Sequence, residues 1–280
     1  MNKNKIYITG MEEAPFNTLS YQRINDTGWV EQAELPFIKV FVNHLPDELD
    51  AIVTCADLQG RWKDGALIGC IVAEELQVLS RMGELPAAEK TGVLLCGDFY
   101  ARENLDRRGG MGNVSDVWHS FASRFRWCIG VAGNHDIFSA MPDNKAFKKF
   151  QNEEGINFLD ASCIETDKLK ICGISGIIGN PKKVFRRSEA EFSHDLQKLL
   201  QQNPDLLLLH DGPDYPEENL DGNPIIRTAL NSRNHVLVIR GHKHWEHIYI
   251  RLNQQIQVIN TYEKVLVLLR DSINTSNSPP

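Results

Sequence analysis

Five apolar runs in this 280-residue sequence each stop at residues able to hold a cation. "AIVTCAD" ends at Asp57 and "GVLLCGD" at Asp98. "CIGVAGNHD" carries Asn134 and His135, "DLLLLHDGP" carries His210, and "VLVIRGHKH" ends in His242 and His244. Near-continuous apolar runs fit strands buried on both faces. In α/β sheets ligands gather outside the carboxyl ends of such strands, so oxygen and imidazole donors from five strand ends can converge around cations. Gly97, Gly133 and Gly241 directly precede three of these positions and allow sharp turns with close backbone approach. Each element alone is a weak signal: a strand-terminal Asp is a common helix cap, and a lone His such as His210 is more often structural. "GNHD" and "GHKH" are sharper. His242 and His244, two apart on an expected extended segment, point to the same side. All five occurring in order, each after a strand, is a specific combination.

The set D-x-Q, GD, GNHD, H and GHxH resembles the calcineurin-like metallophosphoesterase superfamily, over roughly two-thirds of the chain from Asp57 to His244. The resemblance implies a four-layer αββα sandwich, two mixed sheets flanked by helices, and two divalent metals bridged by Asp98. By the same resemblance Asp57, Gln59 and His244 complete the first metal site, and Asn134, His210 and His242 the second. His135 would contact the phosphate and help the leaving group depart. The chemistry is sound on general grounds: two metals about 3.5–4 Å apart clamp the attacking and leaving oxygens of an in-line displacement. A hydroxide bridging them is the nucleophile, the cations and His135 offset phosphoryl charge, and an imidazole titrates near neutral pH as a general acid should.

Gln59 departs from the family pattern, which has His there. Three readings follow: a decayed site on a protein-binding scaffold, a site with water in place of the side chain, or an amide oxygen acting as ligand. The third is preferred, because every other ligand position is filled and because a superfamily branch hydrolysing ADP-ribose and CDP-alcohols has Gln at this point. Oxygen for nitrogen makes the site harder, favouring manganese or magnesium over iron or zinc. The expected activity is hydrolysis of a small phosphodiester or nucleoside diphosphate derivative. A phosphomonoesterase or protein phosphatase is the alternative enzyme, and a catalytically weak scaffold the non-enzyme one.

Around these motifs Arg61 and Asn134 are expected to meet the substrate phosphate; Lys63, Arg102, Arg107 and Arg108 are further cations in reach. Trp62 and Trp245 flank ligand motifs and could stack on a base, with core packing the favoured reading. The glycine-rich "RRGGMGN" (107–113) does not follow a strand directly and reads as a mobile loop and not a phosphate cradle.

The elements that position these residues alternate. Between the apolar runs lie predicted helices over 67–82, 114–125, 144–154, 188–202 and 224–232, and 161–175 reads as a hairpin around Asp167 and Lys168. Two C-terminal segments, 246–260 and 263–270, read as antiparallel strands. Residues 1–45 read as an N-terminal extension packed on a main domain, 46–270, with "KIYITG" and "PFIKVFV" as edge strands; 271–280 reads as a disordered polar tail. Hydrophobic residues at 42% support a sizeable core, and a net charge of −7 disfavours long nucleic acid as a partner. No apolar run is long enough to span a membrane and the N-terminus has no secretion signal. The six cysteines form no CxxC pair and read as reduced, in a cytoplasmic protein.

Overall fold

The structure is a computed structural model and describes residues 5–107, 109–231 and 235–271. Arg108 and all but the first residue of the expected disordered tail lie outside the described residues. In chain order the strands are β1 (Ile8–Met11), β2 (Asn17–Ile24), β3 (Val30–Val42), β4 (Ala51–Ala56), β5 (Gly60–Arg61), β6 (Thr91–Leu95), β7 (Gly112–Asn113), β8 (Trp127–Gly130), β9 (Asp136–Ile137), β10 (Ile156–Phe158), β11 (Ser162–Thr166), β12 (Leu169–Ile174), β13 (Ile177–Ile178), β14 (Arg186–Arg187), β15 (Leu206–Leu209), β16 (Val236–Arg240), β17 (Tyr249–Arg251), β18 (Ile256–Asn260) and β19 (Lys264–Arg270). The helices are α1 (Ile68–Arg81), α2 (Ser115–Ala122), α3 (Asn144–Gln151), α4 (Glu189–Leu200) and α5 (Pro224–Asn231), each inside its predicted range.

Two mixed sheets organise the chain. One has nine strands, in the order β10-β8-β6-β4-β19-β3-β2-β5 with β1 paired to β3; the other has six, in the order β11-β12-β15-β16-β18-β17. Alternation along each strand divides the side chains into layers. In β4, Ala51, Val53 and Cys55 face α1 and α2, while Ile52 and Ala56 face the second sheet. The inter-sheet core joins Ile52, Leu94 and Ile129 to Leu206, Leu208 and Ile239, and a third core packs α4 and α5 on the outer face of the six-stranded sheet. The result is the expected αββα sandwich. Local signals start the helices: α4 opens on a capping box between Ser188 and Glu191, and α1 buries Ile68, Val72, Leu76 and Leu79 at helical spacing.

Three expectations are corrected. "PFIKVFV" belongs to β3, which is not an edge strand but lies between β19 and β2, and β2 was not anticipated. The C-terminal strands are only partly antiparallel: β17 pairs antiparallel with β18 and β19 with β4, yet β18 runs parallel to β16 and β19 parallel to β3. The cysteines are not all free, because Cys163 and Cys172 form a disulfide. They face each other across the β11–β12 hairpin, whose turn residues Asp167 and Lys168 take left-handed φ of 45° and 63°. Pairing imposed by that turn, not a CxxC spacing, brings the two sulfurs together.

Candidate metal centre

The carboxyl ends of β4, β6 and β8 from one sheet meet those of β15 and β16 from the other. Asp57 and Asp98 lie just past β4 and β6 in left-handed conformations, φ 56° and 59°. Such backbone is uncommon outside glycine, though Asp tolerates it best among charged residues, and hydrogen bonds hold it. Asp57 N donates to Gly97 O at 2.9 Å. Asp136, fully buried, accepts from Gly133 N at 2.8 Å, Asp98 N at 2.8 Å and Phe99 N at 2.9 Å. One carboxylate thus ties the Asp98 turn to the Asn134 turn. A side chain at Gly133 would put its Cβ 1.9 Å from Asp98 Oδ1, and one at Gly241 would sit 2.4 Å from Asp57 Oδ2, so both turns require glycine for close approach.

Within this frame one ligand atom each from Asp98, His210 and His242 lies within 4.8 Å of the others. His210 Nδ1 is 2.7 Å from Cys96 O. A carbonyl only accepts, so Nδ1 carries a proton, and Nε2 is the ring atom turned towards Asp98. Nε2 lies 3.2 Å from Asp98 Oδ2, and no well-directed hydrogen bond satisfies it. Among the described residues nothing donates to the buried Asn134 Oδ1 either. Burial alone would raise Asp98, but the neighbouring positive charge of His210 holds it down at about 2. Burial alone would lower His210, but Asp98 and Asp57 push it up to about 10. Burial and the His210 charge depress His242 to about 3, leaving its ring neutral. Burial, with Asp98 nearby, pushes Asp57 up to about 8 and Asp136 to about 6. Without a cation Asp57 and Asp136 recruit protons, and carboxylate and imidazole groups converging in this way are what a divalent cation fits.

The remaining predicted residues divide. Asp57 Oδ2 accepts from His242 N at 2.8 Å, which joins it to the cluster through the backbone. Gln59 reaches Asp98, its Nε2 lying 3.3 Å from Oδ2. His135 N donates to Asp98 Oδ1 at 2.9 Å. His244 stands outside the tight cluster, edge-on to the Tyr262 ring at 5.8 Å, and borders a cleft of about 510 Å³ with Arg23, Thr27 and Glu263. The expected extended geometry of "GHKH" is not found, because His242 turns into φ 67° directly after β16.

Arg61 is engaged elsewhere. Its Nε donates to Ala101 O at 3.1 Å and Arg102 O at 3.0 Å, and Nη2 to Ala101 O at 2.6 Å, so it clamps the loop after Asp98. Arg102 pairs with Asp106. Trp245 is core and not a base platform: it is 1% exposed, its Nε1 donates to Asp221 O, and the Arg240 guanidinium lies 4.6 Å over its ring. The glycine-rich segment, expected as a free loop, is tied in: β7 pairs with β9, and Gly112 N donates to His135 O at 3.2 Å.

Sequence reasoning missed Asp136 and Arg240. Asp136 had a signal, the last letter of "GNHD". Arg240 is fully buried, donates from Nη1 to Lys243 O at 2.8 Å, and so holds the turn carrying His242 and His244; within an apolar strand nothing marked it.

The calcineurin-like phosphoesterase family model matches residues 51–246, and the chain belongs to that family. TT1561 of Thermus thermophilus is similar over 76% of this chain and 88% of its own, with 15% identity and a TM-score of 0.50. A second solved structure is similar over 77% of this chain and 90% of its own, with 10% identity and a TM-score of 0.53. The sulfate thiohydrolase SoxB of Thermus thermophilus aligns over 84% of this chain and 59% of its own, with 10% identity and a TM-score of 0.42, too low to weigh. At these identities the likeness is one of fold. No curated protein matches the sequence. The family supports metal-dependent hydrolysis of phosphoric esters in general, and no helix among the described residues is long and apolar enough to cross a membrane.

Proposed function

We propose that this protein is a dinuclear phosphoesterase acting on small phosphodiesters or nucleoside diphosphate derivatives. The observation that supports the reading most is the meeting of Asp98, His210 and His242, the first two buried, with Nε2 of His210 turned towards the Asp98 carboxylate. In this reading Asp57, Gln59, Asp98 and His244 hold one cation, and Asp98, Asn134, His210 and His242 the other. Bound divalent cations, manganese by preference given the oxygen-rich donor set, would supply Lewis acidity and an acidified water. The chain's own part is to fix those donors, to orient the phosphoryl group through Asn134, and to deliver a proton from His135 to the leaving oxygen. Gln59 can present its oxygen by a half-turn of the amide, which exchanges O and N. Cytoplasmic residence belongs to the same proposal.

The test compares bis(p-nitrophenyl) phosphate with p-nitrophenyl phosphate in the presence of manganese. The expected result is manganese-dependent hydrolysis with kcat/KM for the diester at least about tenfold higher, roughly 1.4 kcal/mol of barrier. A preference for the monoester would overturn the diesterase assignment.

A further inference from the structure

Directly after His135 the chain builds a cavity that phosphate chemistry leaves unused. β9 runs from Asp136 to Ile137, and Ile137 and Phe138 form one wall of a space of about 220 Å³. Phe147 of α3 and Phe185, between β13 and β14, form others, and Ser139 and the exposed Asn144 also line it. The Phe138 and Phe147 ring centroids are 5.3 Å apart, and Phe147 and Phe185 meet edge-on at 5.6 Å. Phe138 is buried, whereas Phe147 and Phe185 are only half-buried. Phe185 takes a φ of 47°, a conformation a bulky side chain rarely adopts and one that concentrates at functional sites. Its carbonyl accepts from Ile177 N at 3.1 Å.

The walls define the occupant. Among the described residues no Lys or Arg lines the cavity, and the one charged lining group, Asp143, caps α3 by accepting from Lys145 N, so a second phosphate is disfavoured. A planar, uncharged ring suits aromatic walls, and the volume exceeds the roughly 150 Å³ that accommodates benzene. His135 lies in the turn two positions before Ile137, so their Cα atoms are at most about 7 Å apart, within the reach of one sugar or ester link. We infer that the cavity receives a flat aromatic ring, a nucleobase or an aryl group, carried on the leaving-group side of the substrate. The inference rests on the phosphoesterase reading, which sets His135 beside the leaving oxygen.

Binding without phosphate or metal separates the two ideas. Adenosine, phenol and D-ribose are titrated into the metal-stripped protein, followed by ligand-observed NMR. Adenosine or phenol should bind at least about tenfold more tightly than ribose, as stacking on aromatic side chains predicts. Binding by adenosine assigns the cavity to a base, and by phenol alone to an aryl group; either supports the proposal. Asn144→Trp, an exposed position at the mouth, should remove the advantage, and Phe147→Ala should reduce it about tenfold. Equal binding of all three ligands, or full ring binding by Asn144→Trp, would overturn it. The phosphoesterase reading is judged apart, by manganese-dependent turnover of bis(p-nitrophenyl) phosphate.

Discussion

Asp98 and His135 sit together yet have different tasks. Asp98 is enclosed by Gln59, His210 and the His135 backbone, whereas the His135 ring is half-buried and outside the ligand cluster. His135→Ala should therefore keep metal and fold but lower turnover by about 10²–10⁴-fold, as loss of a general acid does. The loss should shrink for p-nitrophenol relative to an alcohol leaving group; equal losses for both esters would remove the acid role. The convergence of Asp98, His210 and His242 was legible because a motif fixes both residue type and place after a strand. Asp57 and Asp98 were legible from "CAD" and "CGD", and the glycines from their neighbours. The engagement of Arg61 by carbonyls was not, since a loop's carbonyl directions follow from tertiary packing. Arg240 was unreadable for a related reason: its stack on Trp245 forms only when the turn after β16 folds back.

At the scale of elements, the N-terminal strands carry more of the molecule than their sequence suggested. β3 hydrogen-bonds to β19, more than two hundred residues away, and no local pattern encodes that pairing. Pro36 argues against a central strand, but β19 begins its pairing at Phe37, so the missing N–H falls outside that ladder. Phe37 enters the core under the helices, while Ile38, Val40 and Val42 enter the core between the sheets. Burying each is worth about 1.5–3 kcal/mol, together about 6–12 kcal/mol, comparable to the whole stability of a typical domain. A chain lacking residues 1–45 should show no cooperative thermal transition by circular dichroism. A cooperative melt close to that of the full chain would make those residues a dispensable extension. The Cys163–Cys172 pairing was latent in the predicted hairpin: each cysteine lies at matching distance from the Asp167–Lys168 turn. A search for CxxC spacing looks along the chain and cannot see across a ladder.

For the whole molecule, stability, pH and cation binding are linked. Asp57 rises from its ordinary 3.8 to about 8 and His210 from 6.5 to about 10. Between pH 6.5 and 8 the metal-free folded chain therefore binds more protons than the unfolded one, and its stability falls as pH rises. His242, lowered from 6.5 to about 3, exerts nearly all its opposite effect below that window. Cations displace the same protons, so the gain in Tm on adding manganese should be larger at pH 8 than at pH 6.5, read by scanning calorimetry. An equal gain at both values would detach the cluster from metal binding. The layered fold was legible because apolar runs and amphipathic helices alternate, but the meeting of two sheet rims at one site was carried only by the motif set. The most direct test of that meeting is metal content. Wild-type protein and Asp98→Asn are equilibrated with manganese, passed through a desalting column, and analysed by inductively coupled plasma mass spectrometry. The account predicts close to two manganese ions per wild-type chain and loss of both sites' occupancy in Asp98→Asn, with the fold retained by circular dichroism. Full manganese in folded Asp98→Asn, or none in the wild type under conditions where it hydrolyses diesters, would contradict it.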